Sequence, residues 1–429
     1  MTVVPILPTP RTQLPLWVPL VSQHDFAGES HTAVSANGVH VTFDDGRQRL
    51  CAKSGLWNTN LGYGNGNIAG AVAKELHKAS YLPLFRTAHR AAIEASKALV
   101  NLPSHSFHRV LFSTSGGAAN DAVMKLARQY FVLDGQPERK LVVGLKGSYH
   151  GLTYGSQALS GDELGQVVYG VDRRSIRHIS FDDDGAELAQ LMRREGPRIA
   201  AVIMEPVLGS GAEAVPDAFI EAVIKYRDQH GFLVVADEVA TGFGRVDGWF
   251  ASDAWPQQPD VIVTSKGLTN GTSACAALLI AQRVTEAFDK NESVFVHGET
   301  QAGTPATCAA IISTIAEMKR LDHNTLTKQV ASGLSDLIED LQNTRGIGNS
   351  TGRGCMRAIK MLSRNGTPLS SNGVLAVVRR IHDAGAIVQA GPGRIQLLPA
   401  LIYTEENFEE LRQAIRTGLA AAEKDGVFA

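Results

Sequence analysis

Cysteine is scarce in this chain of 429 residues: Cys51, Cys275, Cys308 and Cys355 stand far apart, with no close pair among them. Metal sites and redox motifs place such residues within a few positions of one another. No metal centre is therefore expected, and the four read as reduced, mostly buried thiols of a cytoplasmic protein. An excess of charge is missing too. The 41 lysines and arginines against 43 aspartates and glutamates leave a formal net charge of -2. That balance gives nucleic acid and anionic membranes no footprint and makes small-molecule chemistry the better expectation. Unbroken apolar runs of about 18 residues are absent, as is a basic patch leading into an apolar stretch at the N-terminus, so neither a membrane span nor secretion is expected.

The length exceeds what one core sustains, since single cores stop growing beyond roughly 250 to 300 residues, so a large domain plus a smaller one is expected. Five prolines, Pro5, Pro8, Pro10, Pro15 and Pro19, bar a regular helix at the start and suggest an extended arm laid across a partner subunit. From Leu111 onward, short apolar runs alternate with helical stretches, the pattern of a parallel α/β sheet. The runs are Val110 to Phe112, Leu141 to Leu145, Ile199 to Met204, Phe232 to Ala236, Val261 to Val263 and Ala276 to Ile280. They are apolar continuously and not by alternation, so helices should cover both faces of a doubly wound sheet. After about residue 310 the chain turns to charged-faced helices such as Leu326 to Leu341, a strand pair near Ala386 to Leu398, and a last helix from Glu405 to Glu423.

Ligands of open α/β sheets bind at the carboxyl ends of the strands, and several of these runs end in polar residues. After Phe112 comes Ser113-Thr114-Ser115-Gly116-Gly117, and apolar residues at 123, 126, 127 and 130 then follow a helical spacing. A glycine turn opening a helix offers free N–H groups to an anion, although alone it is also an ordinary helix cap. The run from Phe232 ends in Asp237, and the next ends in Lys266, 29 positions further on, about the length of a strand, crossover helix and strand. A buried carboxylate needs a cation, and on this pair alone an ion pair is the simpler account. The alternative is a pyridoxal 5'-phosphate site, the lysine holding the aldehyde and the aspartate the pyridine nitrogen. Glu205, Tyr149 and His150 follow other runs and point to the same edge.

At these residues the sequence resembles the class III pyridoxal-phosphate-dependent aminotransferases of fold type I, over nearly its whole length. Ala236-Asp237-Glu238-Val239-Ala240-Thr241-Gly242-Phe243-Gly244-Arg245 is similar to the central signature of that family, and Ser265-Lys266-Gly267-Leu268 follows at the expected distance. Ser54-Gly55-Leu56-Trp57, Tyr149-His150-Gly151, Glu205-Pro206 and His297-Gly298-Glu299-Thr300 match further segments. The resemblance implies an α/β fold with a large domain, built on a mostly parallel sheet covered by helices, and a smaller α+β domain. The division expected is residues 1–55 as arm and part of the small domain, 56–309 as the large cofactor-binding domain, and 310–429 as the small domain. It implies an aminotransferase in which Lys266 forms the Schiff base and Asp237 pairs with the ring nitrogen. Gly116 and Gly117 would hold the phosphate, Tyr149 would stack on the ring with His150 beside it, Val239 would pack on the opposite face, and Glu205 would sit near Asp237. Thr300 would reach the phosphate of a neighbouring subunit, so a homodimer with shared sites is implied, and Trp57 would line the substrate pocket.

Departures from the family pattern bear on cofactor and substrate. Ser115-Gly116-Gly117-Ala118-Ala119-Asn120-Asp121 lacks a phosphate-side hydroxyl and an acidic residue found in relatives, which points to weaker cofactor binding. Members that use amino acids carry an arginine three residues before the first of two late prolines, and others carry a movable one about ten before it. Counted back from Pro399, those positions hold Gln396 and Gln389. Arg394 lies two residues from Gln396 and would share its face in an extended strand, as a substitute fork or as a solvated charge. Without such a fork, one substrate is expected to lack a free α-carboxylate: an amine, a modified peptide or a secondary-metabolite carbonyl. Rival readings are an aminomutase or racemase of the same fold and a non-catalytic binding protein. A nicotinamide dehydrogenase has little support, since no Gly-x-Gly-x-x-Gly follows a strand.

Overall fold

The computed structural model describes residues 15–22 and 32–429. Pro5, Pro8 and Pro10 of the expected arm, and its proposed path across a partner, lie outside the described residues. The centre of the molecule is a seven-stranded sheet of β1 (Arg109–Ser113), β2 (Leu141–Leu145), β3 (Ile176–Ile179), β4 (Ile199–Met204), β5 (Leu233–Asp237), β6 (Val261–Thr264) and β7 (Ala276–Ile280). The spatial order is β1-β7-β6-β5-β4-β2-β3. Every residue of β2, β4, β5, β6 and β7 is buried, as continuous apolar runs require. Alternate residues serve opposite cores: Val234 and Ala236 of β5 join one cluster, Leu233 and Val235 the other.

Two features of the sheet were not legible in the sequence. β3, of sequence Ile-Arg-His-Ile, carries two polar residues in four because it is an edge strand with its middle half-buried. β7 runs antiparallel to both β6 and β1. The chain between Lys266 and Ala276 is shorter than the dozen or so residues a parallel crossover needs, so β7 must return alongside β6. The remaining pairs are parallel.

Two four-stranded sheets lie outside this one, besides a two-stranded ribbon of Val207–Leu208 and Glu213–Ala214. Ala33–Asn37, His40–Phe43 and Gln48–Cys51 form a meander whose last strand pairs in parallel with Ala386–Ile387, which joins the early chain to its late part. Ile347–Arg353, Met356–Met361, Arg394–Leu397 and Gln389–Gly391 form the other. The last long helix, Glu405–Lys424, starts with a reciprocal cap in which Thr404 and Asn407 satisfy each other's free N–H groups. No helix among the described residues is long and apolar enough to cross a membrane.

Candidate active site

Strand register places the chemistry. β5 and β6 pair in parallel with Asp237 opposite Val263, so the chain leaves β6 at Thr264, two residues before Lys266, at the same edge as Asp237. Lys266 opens a short turn at φ 44°, in the left-handed region, where a lysine is strained and persists only if its surroundings enforce the shape. They do. The Ser265 hydroxyl donates to the Cys275 carbonyl at 2.5 Å, and Asn270 bonds both Leu61 N (2.8 Å) and the Gly62 carbonyl (3.0 Å). Residue 267 has to be glycine, because a Cβ there would stand 2.6 Å from Asn60 Nδ2.

Asp237 is 2% exposed. One carboxylate oxygen accepts from Asn120 Nδ2 at 2.8 Å and bonds His150 Nδ1 at 2.7 Å, and the other accepts from Val239 N at 3.1 Å. An ionised Asp237 can only accept, which assigns the His150 proton to Nδ1. Burial would lower the pKa of His150, but the hydrogen bond and field of Asp237 outweigh it and the pKa is raised. Its Nε2 is buried and has no hydrogen-bond partner among the described residues.

Glu205, 3% exposed, follows β4 and accepts from Tyr149 N (2.8 Å) and Gly209 N (2.9 Å). Burial pushes its carboxyl up to about 7. Lys266 is shifted the other way: desolvation pulls its amine down to about 8, against the opposing fields of Glu205 and Asp237. The amine stands 4.5 Å from the centroid of the Trp57 ring.

Opposite these groups begins the helix α1 (Gly116–Leu133), whose first N–H groups have no partner within the helix. The Ser115 hydroxyl caps it by accepting from Ala118 N at 3.2 Å. Space there is tight. Gly151, at φ 123°, faces Gly117, and a Cβ on it would come within 2.5 Å of Gly117 Cα.

A cavity of about 590 Å³ opens between these elements. Trp57, Gly116, Gly117, Tyr149, His150, Glu205, Asp237, Val239 and Lys266 all line it. Four further candidates do not. Thr300 is exposed, and its carbonyl accepts from the Tyr81 hydroxyl at 3.0 Å. Gln389 donates to the adjacent Ala390 carbonyl. Gln396 is buried behind the wall and donates to the Gly209 carbonyl at 2.8 Å. Arg394 reaches the same loop, pairing with Glu213 at 2.8 Å and donating to the Gly211 carbonyl at 2.9 Å.

Sequence reasoning passed over Asn120. Its place three and four positions after Gly117 and Gly116, on the same face of α1, was the available signal. It also passed over Ser273 and Ala274, which reach the cavity only because β7 turns back beside β6. The cavity fits a phosphorylated pyridine aldehyde by its donor set: a desolvated amine, a buried carboxylate and an open helix start on different walls.

Comparison with known proteins agrees with this geometry. The model of the family described as aminotransferase class-III matches residues 26–419. The chain is 27% identical to an omega-aminotransferase of Caulobacter vibrioides, over 93% of this chain and 96% of that one. It is 27% identical to a putrescine–pyruvate aminotransferase of Pseudomonas aeruginosa, over 88% and 87% of the two. Among solved structures, a thermostable omega transaminase of Pseudomonas jessenii superposes with a TM-score of 0.92 at 24% identity, covering 97% of this chain and 98% of the other, which shows the fold.

Proposed function

The chain belongs to the class-III aminotransferases, enzymes that move an amino group from a donor to a carbonyl acceptor, and from that premise we propose that pyridoxal 5'-phosphate occupies the cavity with Lys266 as its covalent anchor. The observation that carries the reading is the pairing of a desolvated amine on Lys266 with the buried carboxylate of Asp237 across one cavity. When bound, the cofactor supplies an electron sink for negative charge at the substrate carbon. Asp237, fixed by Asn120 and His150, would hold a proton on the ring nitrogen. Gly116 and Gly117 would give their N–H groups to the phosphate. Tyr149 and Val239 would flank the ring, with His150 and Glu205 behind it. Lys266 Nζ would take the proton from the substrate carbon, hold it, and return it to the carbon on the other side of the nitrogen, two bonds away. In this reading residues 56–309 carry the cofactor and line the cavity, while the small domain of 310–429 with 1–55 bears Gln396 and Arg394, which pack on the loop of residues 209–213 outside it.

The lowered pKa of Lys266 has a measurable consequence. An amine must be unprotonated to attack an aldehyde, and an ordinary lysine, near 10.4, is almost fully protonated at pH 8. With its pKa at about 8, Lys266 should capture the cofactor faster as pH rises from 7 to 9 and then level off. Stopped-flow absorbance on apoprotein checks this. A rate still climbing steeply at pH 10 would contradict it.

On substrate, we propose that one partner lacks a free α-carboxylate. No arginine lines the cavity among the described residues, and Arg394 is already neutralised by Glu213. The likeness to a putrescine–pyruvate enzyme supports an amine donor. Holoprotein should show a yellow, borohydride-reducible chromophore. Its bleaching by α-amino acids and by amines without carboxylates, in wild type and in Arg394→Ala, tests the reading. Preference for the uncharged panel, unchanged in the variant, is expected. Efficient use of common α-amino acids, together with equally efficient use of their keto acids as sole acceptors and loss of both in the variant, would overturn it.

A homodimer is proposed on the surface around Thr300. Tyr81, Leu82, Phe85 and Val296 leave apolar surface exposed there, Val296 by 77%, which suits burial against a second copy. A cytoplasmic home is in keeping with four free, buried cysteines.

A further inference from the structure

The loop that carries Thr300 sends a neighbouring side chain back toward the anion side of its own cavity. Glu299 accepts hydrogen bonds from the Ser113 hydroxyl at 2.5 Å, from Thr114 N at 3.2 Å and from the Thr114 hydroxyl. Ser113 and Thr114 lead from β1 into the cap of α1, and Thr114, Ser115, Gly116 and Gly117 form one wall of the cavity. Every hydrogen-bond partner of Glu299 among the described residues is neutral, so no ion pair cancels its charge. A carboxylate just ahead of a helix start is stabilised by the same positive end that would attract a phosphate. Position 117 adds no side-chain donor to the phosphate side, since glycine brings no hydroxyl.

We propose that Glu299 is an internal competitor of the cofactor phosphate: a fixed negative charge beside the Ser115–Gly117 cradle that takes the Thr114 donors and loosens the hold on phosphorylated ligands. The proposal rests on the reading of this cavity as the pyridoxal-phosphate site. Glu299 is one residue contact from the cavity, through Thr114, and like charges in a partly buried setting are screened less than in water. Glu299→Gln removes the charge and keeps one acceptor oxygen for the Thr114 donors, while its NH₂ can donate to the Ser113 hydroxyl, which can accept.

The test titrates apoprotein of wild type, Glu299→Gln and Glu299→Ala with pyridoxal phosphate and with unphosphorylated pyridoxal, followed by absorbance. Inorganic phosphate binding is measured on the same samples by calorimetry. Glu299→Gln should bind pyridoxal phosphate roughly tenfold more tightly and inorganic phosphate more tightly too, with pyridoxal unchanged. Glu299→Ala should move in the same direction. Unchanged or weaker binding of both phosphorylated ligands in the two variants would overturn the role of Glu299, as would equal tightening toward pyridoxal. If wild type captures no pyridoxal phosphate, the cofactor reading itself fails. Inorganic phosphate then still decides Glu299, because the charge argument requires the variants to hold it more tightly.

Discussion

Lys266→Ala should transfer amino groups about 10⁴-fold more slowly than wild type, since the substitution removes both the covalent anchor and the group that moves the substrate proton. The fold should survive. Lys266 is a single cation taken from a site that already holds it at a cost, as its lowered pKa shows, and the turn around it is fixed by Ser265 and Asn270. Borohydride should no longer attach the cofactor to the protein, and a small primary amine added to the buffer should restore part of the proton transfer. Single-turnover kinetics with unchanged thermal melting checks the prediction. An ordinary rate in the variant would remove Lys266 from the chemistry.

Asp237→Asn tests the other half of the pair and should slow transfer by roughly 10²–10³-fold, the loss typical when one preorganised electrostatic group is removed. The wild-type carboxylate accepts from Asn120, His150 and Val239. An amide at this position cannot accept at both atoms, so its NH₂ must face a donor. The expected side effect is destabilisation of about 1–3 kcal/mol from a buried group left unsatisfied. Cofactor should still be captured by Lys266, which separates this defect from that of Lys266→Ala. Wild-type turnover with normal capture would argue that the ring nitrogen needs no carboxylate here.

Legibility along the chain followed local chemistry. Asp237 and Lys266 could be read because each ends an apolar run, and a charge at the end of a buried strand demands an explanation. Gly116, Gly117, Glu205, Tyr149 and His150 shared that signal. Asn120 was missed because an asparagine inside a helix gives no such contrast. Its role depends on which strand end α1 faces, and residues 120 and 237 meet only across the assembled sheet. The two fates of Arg394 were equally open in sequence, since strand alternation fixes a face but not a partner. Folding supplied Glu213 and the Gly211 carbonyl.

The sequence by itself determined the fold class, the family and the carriers of the chemistry, because continuous apolar runs, the polar residues that end them and short motifs are local properties of the chain. Tertiary structure decided the rest: the reversal of β7, the hydrogen-bonded partners that orient Asp237, the neutralisation of Arg394 and the return of Glu299 to the Thr114 corner. Each depends on groups distant in sequence that pack against one another. A pattern of neighbours carries no record of which of many possible partners the sheet will bring within hydrogen-bond reach.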